Sequence, residues 1–254
     1  MWKVSLLVTT YNVRENLKVT LASIEQQDYP LIEVIMVDGQ SNDGTLEVIR
    51  EFAGRHEGEE TNGTNCTVQW ISEPDGGLYD AMNKAFRMCT GDLVAVCNDR
   101  LCRPDAVTKL VRAVEQGGEG CIGAHADLVY VEGEHVVRAW HMGEGRLSEG
   151  WLPGHPTLFL KREIYEKYGV YDTSYRCAAD YEFMVRFLKE EKNRLAYVPE
   201  VLVEMFYGGI SNAGLHNYLV SFWEGCLALR RNGVRHPFLI SMKRTLLVLR
   251  QFKA

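Results

Sequence analysis

Two rhythms of apolar and polar positions run along the first half of the chain. Residues 4–8, 32–37 and 93–96 are short, nearly continuous apolar runs, the pattern of strands buried on both faces of a parallel sheet. Residues 67–72 alternate and predict a further strand. Between these runs the apolar positions change to helical spacing. Leu17, Leu21 and Ile24 mark one helix, and Asn12 followed by Glu15 predicts a capping box at its start. A second helix is expected over 45–56. Leu78, Ala81, Met82, Ala85 and Phe86 mark a third, ended by Gly91. Val107, Leu110, Val111 and Val114 mark a fourth, with Pro104 in its first turn and Gly117-Gly118 behind it. Repeated βα units predict a doubly wound, parallel sheet.

Beyond residue 115 the pattern becomes mixed. Residues 121–131 and 135–140 read as a hairpin, 157–160 as a short strand, 162–168 as a helix and 195–206 as mostly strand. Asp180 opens a helix that turns Phe183, Met184, Phe187 and Leu188 inward. These two parts, about 1–115 and 116–212, are expected to share one sheet and one cleft. A helical segment of different character, 213–254, follows. After Glu224 it has no acidic residue, and its seven Lys and Arg residues are interleaved with Leu, Ile, Val and Phe. Such a basic amphipathic tail fits a peripheral contact with an anionic membrane surface, or a solvated helix packed on the sheet.

Composition narrows the class. The 254 residues are 46% hydrophobic, enough for one sizeable domain. A net charge of −6 argues against nucleic acid as a partner. Seven cysteines without CxxC or zinc spacing read as reduced thiols, and the chain enters a strand at once, so a cytoplasmic protein is expected. The sequons at Asn62 and Asn65 read as loop chemistry in the polar stretch 57–65. No apolar run is long enough to span a bilayer.

Parallel sheets present their chemistry at the carboxyl ends of their strands. Asp99 stands at such an end. It either holds a divalent cation, and through it a diphosphate, or begins a surface loop.

Five stretches together carry a resemblance: Val8-Thr9-Thr10-Tyr11-Asn12, the run from Val37-Asp38-Gly39 to Asp43-Gly44-Thr45, residues 72–85, residues 91–104, and Ala179-Asp180-Tyr181-Glu182. In this order they resemble an inverting family 2 glycosyltransferase of the kind that builds bacterial O-antigen and capsule. The resemblance implies a GT-A fold, a Rossmann-like, mixed and mainly parallel sheet flanked by helices, here with a C-terminal helical extension. It implies transfer of a hexose or N-acetylhexosamine from a nucleotide sugar, a UDP-sugar, to a saccharide or lipid-linked saccharide acceptor.

The resemblance also assigns residues. Thr9, Tyr11 and Asn12 are implied at the nucleoside and Asp38 at the base. Asp75, Asn83, Lys84 and Asn98 are implied along the donor, Lys84 being otherwise a solvated lysine. Asp99 is implied at a Mn²⁺ or Mg²⁺ ion. There the sequence departs from the family's DxD pattern: Cys97 replaces the first acid, and Arg100 replaces a following Asp. Arg100 either neutralises Asp99 or supplies charge at the diphosphate. Asp180 matches the general base, with Glu182 as the runner-up. Trp151 and His155 are expected on the acceptor side, or else in structural roles. A sugar-1-phosphate nucleotidyltransferase would need a basic, Gly-rich loop after the first strand, and none is present. A non-catalytic saccharide- or nucleotide-sugar-binding module is the alternative that Cys97 and Arg100 leave open.

Overall fold

The structure is a computed structural model and describes residues 1–56, 65–206 and 215–250. The apolar runs of the first half form β1 (Val4–Thr10), β2 (Leu31–Asp38), β3 (Asn65–Ser72) and β4 (Leu93–Val96). They pair in parallel in the order β3-β2-β1-β4. Glu33 interrupts the apolar run of β2, yet it is buried. It accepts hydrogen bonds from Ser5 Oγ, the Thr90 backbone and hydroxyl, and Lys3 Nζ, all at 2.6–2.9 Å, so a buried charge is fully partnered.

Helices cover both faces. Leu6, Val8, Val34 and Met36 pack against α1 (Arg14–Glu25), α2 (Thr45–Arg55) and α4 (Ala106–Gln116). Leu7, Ile35 and Val37, on the opposite face by strand alternation, pack against α3 (Leu78–Met88).

The second half enters the same sheet. β6 (Cys121–Glu132) and β7 (His135–Trp140) form the expected hairpin, turning at Gly133. β8 (Phe159–Lys161) lies antiparallel between β4 and β6 and so joins the halves. β9 (Arg194–Phe206) runs parallel to β6, and β5 (Arg100–Leu101) pairs with β9. Among the described residues nine strands thus make one sheet. α5 (Arg162–Tyr168) and α6 (Ala179–Leu188) pack on the α3 side.

α7 (Leu215–Arg231) and α8 (Pro237–Arg250) form a helical hairpin that packs on α6 and on the 3-10 turn Leu147–Glu149. Gly150 permits that approach. It has φ +82°, and a Cβ there would lie 2.5 Å from the Arg244 backbone nitrogen. Among the described residues no helix is long and apolar enough to cross a membrane.

Several local expectations are corrected. No capping box forms at α1: Val13 is the N-cap, and Asn12 takes φ 52° and bonds to the β2 loop instead. Pro104 precedes the N-cap of α4, Asp105. α3 ends at Met88, before Gly91, which lets β1 pass close by: a Cβ at 91 would lie 2.8 Å from the Lys3 carbonyl oxygen. His155 begins a 3-10 turn, and the strand starts only at Phe159. The sequon at Asn65 opens β3, whereas Asn62, most of the loop expected over 57–65 and the boundary at 212–213 lie outside the described residues.

Candidate active site

The carboxyl ends of β1, β2 and β4, the loop before α3, the start of α6 and the inner side of the α7–α8 hairpin enclose a cleft of about 1850 Å³. Its rim at β1 and β2 is built around Asp38. Thr10, Asp38 and Ser72 stand side by side on three paired strands. Asp38 accepts from Thr10 Oγ1 at 3.0 Å, Ser41 Oγ at 2.5 Å, the Ser41 backbone at 3.0 Å and Ser72 Oγ at 2.8 Å. With both oxygens engaged and no exposure, Asp38 lies beneath the cleft surface. The expectation of a base-binding carboxylate is corrected by this geometry: Asp38 fixes the rim from below.

Asn12 also serves the rim. Its Oδ1 accepts from the Asn42 backbone at 2.9 Å, and its own N–H donates to Ser41 Oγ at 2.8 Å. It ties the β1 loop to the β2 loop and does not line the cleft. Between them Tyr11 stands 65% exposed, an aromatic face open at the cleft edge. Gly39 leaves room beside it for Asp75: a Cβ there would lie 2.6 Å from Asp75 Oδ2, and that carboxylate would have to turn aside. Asp75 lines the cleft and accepts from the Gly77 backbone at 2.8 Å.

Two residues expected at the donor point elsewhere. Asn83, buried on α3, exchanges two hydrogen bonds with the Tyr171 backbone, at 2.8 and 2.9 Å. Lys84 donates to the Pro74 carbonyl at 2.7 Å and pairs with Glu73 at 2.8 Å, so it braces the loop before α3. Neither lines the cleft. Asn83 lies off the apolar stripe of α3, and the long-range contact with the segment around Tyr171 is what buries it.

At the end of β4, Asn98 and Thr9 exchange two hydrogen bonds of 2.8 Å, which lock the tips of β4 and β1 together; both residues line the cleft. Asp99 lines it too. Its Oδ1 accepts from the Phe206 backbone at 3.0 Å, and burial pushes its carboxyl up to about 6. Arg100 behaves differently from either sequence expectation. Arg100 lies on the exposed side of β5 and pairs with Glu204 at 3.1 Å, so it neither neutralises Asp99 nor faces the cleft. Cys97, by contrast, is buried in the core, as a thiol ill-suited to Mg²⁺ or Mn²⁺ should be, and burial pushes its pKa up to about 12.

Among the described residues no group of three or more His, Cys, Asp or Glu could hold a metal ion. The donor set does fit a divalent cation in a narrower way. Asp99 offers one carboxylate oxygen with no protein partner among the described residues, and Mg²⁺ or Mn²⁺ held by one carboxylate takes its other ligands from diphosphate and water.

The opposite wall begins with Asp180, in the first turn of α6. Tyr79 donates its hydroxyl to Asp180 Oδ1 at 3.1 Å. Burial, and next the charge of Asp180, hold the Tyr79 phenol far above the ordinary tyrosine range, so it remains a donor. Beside it His155 Nε2 lies 2.8 Å from the Tyr171 hydroxyl, which is 3.2 Å from that of Tyr165. Burial lowers the His155 pKa, and Asp180 opposes this. Trp151 lines the same wall, its indole N–H donating to the Met142 carbonyl at 2.9 Å.

Glu182 is the remaining correction. It is buried, pairs with Arg186 at 2.7 Å, accepts from Asn232 at 3.0 Å and does not line the cleft. One helical step of about 100° per residue separates Asp180 from Glu182 by more than half a turn.

The sequence reading missed Tyr79, Tyr130, Arg138 and Arg244, all of which line the cleft. Tyr79 lies within a stretch already singled out, so its motif was a usable signal. Arg138 is buried against the Tyr130 ring, 4.5 Å from its centroid. No local pattern distinguishes it from a solvent-facing hairpin arginine.

Comparison with known proteins gives the family and the fold. The model of "Glycosyl transferase family 2" matches residues 5–187. A PGL/p-HBAD biosynthesis glycosyltransferase of Mycobacterium bovis is 28% identical over 219 residues, covering 82% of this chain and 78% of that protein. In fold the chain is similar to the mannosyltransferase PcManGT from Pyrobaculum calidifontis in complex with GDP-Man and Mn²⁺, with TM-score 0.67, 21% identity, and coverage of 98% of this chain and 70% of the other. It is likewise similar to S. aureus TarS 1–349 in complex with UDP-GlcNAc, with TM-score 0.68, 18% identity, and coverage of 99% and 73%. The chain belongs to glycosyl transferase family 2: it is a glycosyltransferase of the GT-A fold.

Proposed function

We propose that the enzyme transfers a hexose or N-acetylhexosamine from a UDP-sugar to a lipid-linked saccharide, with inversion, in cell-surface polysaccharide synthesis of the O-antigen or capsule type. The observation that carries this reading is the position of Asp180. It stands across one cleft from Thr9, Tyr11 and Asn98, with Oδ1 held by Tyr79 and Oδ2 free of protein partners among the described residues.

In the proposed reaction the nucleoside lies at the β1 and β2 rim, its base against Tyr11. Asp75, Asn98 and Asp99 flank the diphosphate and sugar. Asp180 takes the proton from the acceptor hydroxyl as that oxygen attacks the anomeric carbon. The bond from that carbon to the diphosphate breaks, and the nucleoside diphosphate leaves with its electron pair. A divalent cation bound at Asp99 would supply positive charge to the diphosphate. Asp38 and Asn12 act by keeping the rim rigid. Trp151 and His155 stand on the acceptor side.

The α7–α8 hairpin supports a lipid-linked acceptor. Trp223, Leu246 and Phe238 are 61, 57 and 52% exposed. Arg230, Arg231, Arg235 and Lys243 are also exposed on the hairpin. An aromatic and basic surface on an otherwise acidic protein is complementary to an anionic bilayer surface. Phe222 lines the cleft and contacts both Trp223 and Phe238, at ring distances of 5.6 and 5.7 Å. The apolar surface therefore continues from the outer face of the hairpin into the cleft. The 213–254 segment is accordingly assigned both to the acceptor side and to peripheral contact with the cytoplasmic face of the membrane.

A panel of nucleotide sugars tested by thermal shift, followed by NMR of the product's anomeric centre, tests this reading. UDP-sugars are expected to raise Tm, and an α-linked donor to give a β-linked product. A shift with GDP-sugars only, or retention of configuration, would overturn the corresponding part.

A further inference from the structure

Tyr181, Ser241 and Arg244 meet on the cleft wall where α6 faces the hairpin. Tyr181 is 2% exposed and Ser241 is 3% exposed; among the described residues neither hydroxyl makes a well-formed hydrogen bond, and the polar group acting on the Tyr181 hydroxyl is the Arg244 guanidinium, itself a donor. The Arg244 guanidinium lies over the Tyr181 ring, 4.2 Å from its centroid. The neighbouring basic side chains are engaged, Lys243 with the Ser148 carbonyl and Arg231 with Asp172, whereas Arg244 makes no ion pair among the described residues. All three side chains converge on Gly225 of α7. A Cβ there would lie 3.2 Å from an Arg244 nitrogen, 3.7 Å from the Tyr181 ring and 3.9 Å from Ser241 Oγ.

A guanidinium and two buried hydroxyls that find no acceptor among the described residues are donors in want of one. They need one with several oxygens and negative charge. Arg presents a planar fork, and the hydroxyls approach from other directions, so a tetrahedral oxyanion suits the set better than a planar carboxylate. The cluster is close to the chemistry. Tyr181 follows Asp180 directly, and the Tyr130 hydroxyl is within electrostatic reach of Arg138, Asp99, Arg244 and Asp180 alike. It sits on the α6 and hairpin wall, away from the β1 and β2 rim, and beside the apolar path through Phe222.

We propose that Arg244, Ser241 and Tyr181 bind a phosphoryl group of the acceptor, which makes the acceptor a saccharide carried on a lipid phosphate or diphosphate. This deepens the acceptor reading above and rests on it. The same oxyanion chemistry has a second source, the diphosphate of the donor, and the test separates the two.

Inorganic pyrophosphate is titrated into the full chain by calorimetry, alone and with saturating UDP, or GDP if UDP does not bind. With the nucleotide site filled, wild type is expected still to bind pyrophosphate. Arg244→Gln should weaken that binding at least about tenfold and Ser241→Ala about threefold, with nucleotide affinity unchanged in both. If nucleotide abolishes pyrophosphate binding, or if Arg244→Gln weakens nucleotide as much as pyrophosphate, the subsite belongs to the donor and the proposal falls. Unchanged pyrophosphate binding in both variants also overturns it. Ser241→Ala removes one oxygen from a packed position and keeps the test decisive if Arg244→Gln does not fold. No turnover is read, so a failed donor or base assignment leaves the outcome interpretable.

Discussion

The Tyr79 hydroxyl donates to Asp180 Oδ1 at 3.1 Å, joining the first turn of α3 to the first turn of α6 across 101 positions of sequence. One oxygen of the carboxylate is thereby fixed, and the other is left for the acceptor. Tyr79 is a positioning residue in this account. Tyr79→Phe is expected to lower kcat by about tenfold while KM for the donor stays within about twofold, because one aimed hydrogen bond is lost and no donor contact is touched. Steady-state kinetics check this; an unchanged kcat would remove Tyr79 from the mechanism.

Asp99 is the one carboxylate at the end of β4, with Cys97 in the core and Arg100 paired to Glu204. If it holds a divalent cation, Asp99→Asn should abolish the response of turnover to added Mn²⁺ and to chelation by EDTA. Asparagine still accepts the Phe206 N–H, so Tm should move little. Turnover of the wild type that is indifferent to EDTA would place the charge at the diphosphate on other groups.

His125 is buried between Tyr197 and Trp151, with neither ring nitrogen partnered among the described residues, and burial lowers its pKa from 6.5 to about 4. The folded state therefore holds it neutral where the unfolded chain would protonate it. The resulting stability is fully present above pH 6.5 and is lost progressively as pH falls from 6.5 towards 4. The linkage amounts to at most about 3 kcal/mol. Between pH 6.5 and 5, His125→Phe should flatten the loss while keeping the ring contacts. Denaturant unfolding at several pH values measures it, and an unchanged slope would assign the loss to other groups.

The exposed hairpin surface predicts adsorption to anionic vesicles. Replacing Trp223 and Phe238 together by Ala should remove flotation with phosphatidylglycerol vesicles and leave donor turnover on a soluble acceptor unchanged. Flotation should also weaken with salt, since each nearby Lys or Arg contributes about 1 kcal/mol at an anionic surface. Equal flotation with neutral vesicles at high salt would contradict the electrostatic part.

Much of the fold was legible because strand and helix periods are local. The continuous runs of β1, β2 and β4 and the helical spacing of α3 and α4 correspond closely to the elements formed. Errors arose where long-range contacts decide. Asn12 resembles a helix cap, but Ser41 and Asn42 of the next loop capture it. In the site, the strand-end positions of Asp38, Asn98 and Asp99 were readable, whereas orientation was not. Asp38 is sealed by partners from β1, the β2 loop and β3, and Glu182 is turned towards Arg186 and Asn232. Arg244 lies more than sixty residues after Asp180, in a segment whose pattern advertised only a basic surface.

Asp180→Asn is the most direct measurement of the central claim. The variant retains the Tyr79 contact and the cleft surface but has no basic carboxylate. Donor affinity by calorimetry should stay within about threefold of wild type, while sugar transfer falls by about 10²–10⁴-fold, the range of a general base. Transfer at the wild-type rate with intact donor binding would contradict the account.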